Sequence, residues 1–254
     1  MMSNKNGICV VSICPVRKEA TDTSEMVTQL LFGEQFTILN QQKQWLKIKI
    51  DFDGYEGWID QKQIEVIEEK YQSASIFVSE IVDLLMSLDN YPLAVTLGAE
   101  LPNFNQNNVT IGDKKYVFEG KIISGIQTKQ QIVTIGMSYL NSPYLWGGKT
   151  PFGIDCSGLT QMVYKLCGHI LPRDAYQQAE LGEVLSFIEE AEPGDLAFFE
   201  NEMGKITHVG ILLENNKILH AHGKVRIDPI DHSGIFNTDS KTHSHKLRMV
   251  KRLV

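Results

Sequence analysis

Over the first 67 residues, apolar positions come in short runs separated by polar turns, a pattern of strands rather than helices. Residues 7–12, 34–40 and 45–50 read as strands, and Asp53-Gly54 supplies a hairpin signal before the aromatic strand Tyr55-Glu56-Gly57-Trp58-Ile59. Many short strands leave no room for crossover helices, so a small barrel is the natural closure. Across residues 73–88 the spacing of Ile76, Phe77, Ile81, Leu84, Leu85 and Leu88 predicts a helix. A β-like stretch follows over 93–123, broken by the Asn-rich turn 103–108. Its end, Lys115-Tyr116-Val117-Phe118-Glu119-Gly120, reads as a second, degenerate β module.

From about Thr128 the pattern changes. A helix is expected over 128–140, leading through Asn141-Ser142-Pro143 into Tyr144-Leu145-Trp146-Gly147-Gly148. A second helix follows Cys156, with Leu159, Val163 and Leu166 at helical spacing and Gly168 as its C-terminal stop. Strands are expected at 195–199, 208–213 and 217–222. The organisation that results is a small β module over 1–67, a helix plus possible β module over 68–125, and an α+β domain over 126–254.

Composition narrows the function. Of the 254 residues 43% are hydrophobic and 22% charged, the balance of a soluble globular chain. A net charge of −7 argues against nucleic acid, whose binding needs a basic surface, and gives no reason to expect adhesion to membranes or anionic wall polymers. A small soluble substrate fits better. The N-terminus lacks the apolar core of a secretory signal, and no apolar run approaches the ~18 residues of a membrane span. The four cysteines, Cys9, Cys14, Cys156 and Cys167, are too few and scattered for a disulfide scaffold. The expectation is therefore reduced thiols and a cytoplasmic location, or a periplasmic or secreted one if a signal has been removed. No cofactor or metal is implied. Cys9 and Cys14 have no second ligand pair at zinc-like spacing, and core packing accounts for them. Oligomeric state is left open, with a monomer favoured.

Chemistry concentrates at Asp155-Cys156-Ser157-Gly158-Leu159. A cysteine at a helix start meets backbone N–H groups without intrahelical partners and the positive end of the helix dipole. Both favour the thiolate, and the same N–H groups can hold an oxyanion. Partners are at hand: His208 opens His208-Val209-Gly210-Ile211-Leu212-Leu213, and His220 sits in Leu219-His220-Ala221-His222. With an odd-length loop centred on Asn215, residues 208, 210, 220 and 222 share one face of a hairpin, so two imidazoles can lie together. A two-residue loop would put 208 and 220 on opposite faces. His222 competes with His220 for the orienting role, and His232, His243 and His245 are expected at the surface of a polar tail.

The blocks Tyr144-Leu145-Trp146-Gly147-Gly148, Asp155-Cys156-Ser157-Gly158-Leu159, Leu171-Pro172-Arg173, Pro193-Gly194-Asp195-Leu196-Ala197-Phe198-Phe199, His208-Val209-Gly210 and Leu219-His220-Ala221 resemble, in order, the NlpC-type cysteine peptidases of bacterial cell-wall metabolism. Gly33-Glu34, Trp45-Leu46-Lys47-Ile48 and Gly57-Trp58-Ile59 resemble a bacterial SH3-like module. The pairing is similar to the γ-D-glutamyl-L-diamino acid endopeptidases that recycle wall peptides. The resemblance implies a papain-like core preceded by SH3-like β-barrel modules. It makes Cys156 the nucleophile, His208 the base and His220 the orienting residue, and it places the Tyr144 hydroxyl near the oxyanion. Asp155 and Ser157 would bind the amine and D-Glu portion of a small murein peptide, although Asp155 equally suits helix capping. Glu25 and Tyr55 of the SH3-like module would help bind the amine. Ala175 departs from the family pattern, where a serine often contacts substrate. Two other readings compete: a secreted hydrolase of intact wall, and a non-catalytic wall-peptide-binding protein.

Overall fold

The computed structural model describes residues 5–71 and 76–254, and the chain separates into two compact units, Met1–Ile126 and Gln127–Val254. In the first unit a seven-stranded antiparallel sheet runs in the order Met26–Leu31, Ile13–Arg17, Glu56–Asp60, Trp45–Ile50, Gln35–Gln42, Lys5–Cys9, Ile64–Ile67. Six of these strands contribute to one core: Cys9, Cys14, Val16, Leu30, Phe36, Leu46, Ile48, Ile50 and Ile59. The sheet wraps that core as an SH3-like barrel. Asp53-Gly54 makes the expected tight turn, with Gly54 at φ +74° and its N–H donating to the Ile50 carbonyl at 2.9 Å. Cys9 and Cys14 are buried free thiols packed in this core.

The helix expected over 73–88 is not formed. Residues 73–75 lie outside the described residues, and the rest is two strands, Ile76–Val78 and Val82–Ser87. Val82–Ser87 belongs to a four-stranded sheet with Pro92–Thr96, Lys114–Val117 and Asn108–Ile111, and Ile76–Val78 pairs with Ile122–Ser124. The supposed helical stripe is split by the sheet. Phe77 and Leu85 are buried, whereas Ile81, Leu84 and Leu88 are exposed, so the operative alternation is period two.

The second unit is α+β with a papain-like core. Helices Lys129–Met137 and Cys156–Leu166 and the short helix Ala175–Gln178 accompany a seven-stranded antiparallel sheet. Its order is Glu183–Leu185, Thr242–Arg252, Leu196–Glu200, Ile206–Leu213, Lys217–His222, Lys224–Asp231, Gly234–Asn237. Gly234–Asn237 pairs in addition with the start of Thr242–Arg252, so the sheet closes on itself. That closure sets the last long strand, which begins in the polar tail, beside Leu196–Glu200, the neighbour of the strand Ile206–Leu213 that carries His208. No helix among the described residues is long and apolar enough to cross a membrane.

Candidate active site

The nucleophile side is built at the start of the helix Cys156–Leu166. Asp155 is its N-cap in extended backbone, and its carboxylate accepts from the Gly158 N–H at 2.7 Å. Asp155 Oδ2 accepts from the Gly147 N–H at 2.8 Å, and Gly147 has φ +76°, a conformation that favours glycine. A Cβ on Gly158 would run into the Gly148 carbonyl oxygen, so glycine lets the helix approach the Trp-Gly-Gly turn. Arg173, buried, forks onto Asp155 through Nη1 at 3.0 Å and Nη2 at 2.6 Å, and Nη1 also donates to Ser157 Oγ at 3.0 Å. Asp155 therefore serves as cap, loop anchor and partner of Arg173. The carboxylate that the resemblance assigns to substrate is engaged within the chain. Arg173 stood in a recognised block, but its role is visible once the fork is seen.

Cys156 is the first residue of the helix, and the backbone N–H groups of Val209 and Ser157 favour the charged form of its sulfur. Val209 follows His208, so the helix start and the strand Ile206–Leu213 meet at the thiol. The helix-start pull toward the thiolate meets an opposing push. Burial, reinforced by the Asp155 carboxylate, pushes the thiol up to about 12, against the pull of the two N–H groups and Arg173. Tyr144 stands close enough for its hydroxyl to feel Cys156 and Asp155. Burial first, then those two groups, pushes it up to about 12, so it stays protonated and able to donate.

The base side is built on a hairpin. Gly210 pairs with His220 and Leu213 with Lys217, leaving the three-residue loop 214–216, with Asn215 and Asn216 in the left-handed region. This is the odd-length loop that puts residues 208 and 220 on one face. Gly210, opposite His220, has no side chain to keep the rings apart. His208 Nε2 lies 3.0 Å from His220 Nδ1, and His220 Nε2 lies 3.1 Å from Asp228 Oδ2. His222 is exposed and stacks beside His220 at a centroid distance of 6.2 Å.

Asp228 went unrecognised in the sequence. Fully buried, it also accepts from Arg226 Nη2 at 3.0 Å and from the Thr238 N–H and hydroxyl at 3.3 and 3.1 Å. Burial opposes its charge, yet Arg226, His220 and Thr238 hold the carboxyl below the usual range. The ionised carboxylate fixes every tautomer in the line. An acceptor at Asp228 requires N–H at His220 Nε2, which leaves Nδ1 as an acceptor. His208 then donates from Nε2, and its Nδ1 carries the lone pair. Burial, then the neighbouring imidazoles His245, His220 and His222, lowers His208 well below 6.5, so it is a neutral base at physiological pH.

His245 is a correction to the expectation of a surface tail. Sheet closure stacks its ring on His208 at a centroid distance of 4.1 Å and an interplanar angle of 27°, and the side chain is half-buried. His232 and His243 are exposed. Glu25 and Tyr55 belong to the first unit, where Glu25 is exposed and Tyr55 packs against the barrel core.

Known proteins carry the same blocks. The NlpC/P60 family profile matches residues 141–243, and the bacterial dipeptidyl-peptidase SH3 domain profile matches residues 16–64. A Bacillus subtilis protein, the γ-D-glutamyl-L-lysine dipeptidyl-peptidase, is 30% identical over 76% of this chain and 71% of its own. This chain belongs to the NlpC/P60 family. Dipeptidyl-peptidase 6 of Lysinibacillus sphaericus is 27% identical over 89% of the chain and 92% of its own. The crystal structure of an NlpC/P60 family protein from Bacillus cereus superposes with a TM-score of 0.82 at 21% identity, covering 97% of this chain and 99% of that one, which shows the shared fold. As an NlpC/P60 member this chain is a cysteine peptidase with an SH3-like N-terminal domain.

Proposed function

We propose that this NlpC/P60 peptidase hydrolyses the γ-D-glutamyl–diamino acid bond of free murein peptides, releasing L-Ala-D-Glu in wall-peptide recycling. The observation that carries the reading is the line Asp228–His220–His208, whose last member lies on the strand Ile206–Leu213 that packs against the Cys156 helix. Relatives named as dipeptidyl-peptidases that match over most of the chain support the bond class.

In this mechanism Cys156 and His208 rest as a neutral thiol and a neutral imidazole. As the sulfur attacks the γ-carbonyl of D-Glu, its proton passes to His208, and the imidazolium is stabilised through His220 by Asp228. Electron density moves onto the carbonyl oxygen, where the helix-start N–H groups and the Tyr144 hydroxyl donate to it. His208 returns the proton to the departing amine of the diamino acid, leaving a thioester. Water, deprotonated by the same imidazole, then releases L-Ala-D-Glu and regenerates the thiol. Arg173 holds Asp155 and Ser157, and through them the geometry of the nucleophile.

Mass spectrometry of products from L-Ala-γ-D-Glu-meso-diaminopimelate, its lysine counterpart and N-acetylated copies tests this. Cleavage of the free peptides alone is expected. Equal cleavage of the acetylated copies would shift the function to wall-polymer hydrolysis, and cleavage of none would refute the assignment.

A further inference from the structure

The ring of His245 lies flat on that of His208, at a centroid distance of 4.1 Å and an interplanar angle of 27°. We infer that His245 is a positioning residue for the base: its ring face holds the plane of the His208 imidazole and keeps water off it, without touching the reacting atoms. This inference rests on the proposed role of His208 as the base.

His220 restrains His208 in a different way. It meets the base edge-on, at 5.2 Å and 89°, and bonds a single atom, Nε2, at 3.0 Å. The last torsion of a histidine is broad, so one bond at Nε2 leaves the ring room to rock about its Cβ–Cγ axis. Rocking would drive the His208 ring into a ring stacked on it. Phe199 meets His208 tilted at 49° and 5.7 Å, so the flat support comes from His245. With both restraints in place, the Nδ1 lone pair keeps one heading.

His245 is itself held. Sheet closure sets it opposite Ile235, Ser244 Oγ lies 2.8 Å from its Nδ1, and the Phe199 ring meets it at 6.0 Å and 68°. It also lines a cavity of about 500 Å³ with Glu200, Ser233, His243 and Lys246, a cavity that reaches neither His208 nor His220. His208 is buried and His245 half-buried, so the His245 ring is part of the wall between solvent and the base.

That wall is uncharged at neutral pH, because burial, then the neighbouring imidazoles His220 and His222, lowers His245 to about 4. The other titratable neighbours of His208 are Cys156 on the helix packed against its strand and His220 and His222 on the adjacent strand. Asp228 and its partner Arg226 act through His220, and Glu200, on the other adjacent strand, pairs with Lys246. A neutral ring does not repel the imidazolium that His208 becomes on taking the Cys156 proton.

Two variants of the full chain separate the ring face from the hydrogen bond. His245→Phe keeps a flat ring and loses the bond to Ser244, whereas His245→Asn keeps a polar atom for Ser244 and loses the ring. Circular dichroism checks the fold of both. On L-Ala-γ-D-Glu-meso-diaminopimelate, kcat should fall about ten- to hundredfold in His245→Asn at little-changed KM, and His245→Phe should recover it to within about threefold of the parent. A second readout needs no substrate: ring-nitrogen NMR of the ¹⁵N-histidine-labelled chain follows His208 against pH. Its titration, well below 6.5 in the parent chain and in His245→Phe, should move up toward 6.5 in His245→Asn, because water then reaches the ring. The acid limb of kcat/KM should move up with it, since the base must be unprotonated. An unmoved His208 titration in His245→Asn, or equal losses of kcat in the two variants, would overturn the inference. So would a His245→Asn chain that does not fold, since the role would then be structural. A parent chain that cleaves no murein peptide would refute the proposed function instead, and the NMR titration would still decide whether His245 shields His208.

Discussion

The two sides of the active site keep their charges at different distances from the reacting group. Around Cys156 the order comes from full charges: Asp155 and Arg173 form a buried fork that also fixes Ser157, Gly147 and the helix start. Around His208 the order comes from neutral rings, and full charges, Asp228 paired with Arg226, stand only at the far end. A buried ion pair positions groups firmly, but each partner becomes costly if the other is lost. A line of imidazoles transmits a tautomer instead, and so controls which nitrogen carries the lone pair. The nucleophile needs a fixed place and the base needs a fixed lone pair, and each side is built for its task.

Substitutions on the two sides should therefore fail differently. The largest effect is expected from Cys156→Ala, which should abolish turnover, a loss of at least ~10⁴-fold, with an unchanged melting temperature; substantial residual cleavage would refute the nucleophile. Next comes Asp228→Asn. It allows His220 to reverse its hydrogen bonds, and kcat should fall on the order of 10²–10⁴-fold with KM little changed. A rise in KM at constant kcat would show that Asp228 serves binding rather than tautomer control. Arg173→Ala should act mainly on stability, costing about 3–5 kcal/mol in denaturant unfolding because Asp155 is left buried and unpaired.

Acid should discriminate the two sides further. His220 and His245 are each lowered to about 4, chiefly by burial, so between pH 6.5 and 4 the unfolded chain binds more protons than the folded one. Stability fully present above about 6.5 is then lost as pH falls toward 4, with His220 alone contributing on the order of 3 kcal/mol. Thermal melts across that range check it; a flat profile would mean that the imidazoles are not buried as neutral rings. The smallest effect is expected from His222→Ala, within about 0.5 kcal/mol of stability, because the ring is exposed and makes no bond in the line. A loss comparable to that of His220→Ala would reassign the orienting role.

The candidate site was unevenly legible. Cys156, His208 and His220 came from the ordered family blocks, and short-range pattern allowed their placement at a helix start and on a hairpin without forcing it. The hairpin's parity was open until the three-residue loop was seen. Asp228 gave no signal because it reaches His220 from the next strand, and an Asp in a polar segment looks like any surface acid. His245 misled for the same reason: its neighbours Thr242, His243 and Ser244 are polar and exposed, and its burial depends on a strand far away in sequence. The upward push on the thiol was not legible because the helix dipole is a local feature, whereas desolvation is set by everything packed around the sulfur. The helix expected near Ile81 failed because six apolar residues fit a helical stripe and a split pair of strands about equally well.

Local spacing determined the barrel-like first module and the α+β second unit, and the ordered family blocks singled out Cys156, His208 and His220, because each such signal rests on residues within a turn, a hairpin or one helix. The tertiary structure decided which carboxylate ends the imidazole line, how Asp155 is neutralised, and that His245 covers His208. Those contacts follow from sheet closure and packing between segments distant in the chain, which no local periodicity encodes.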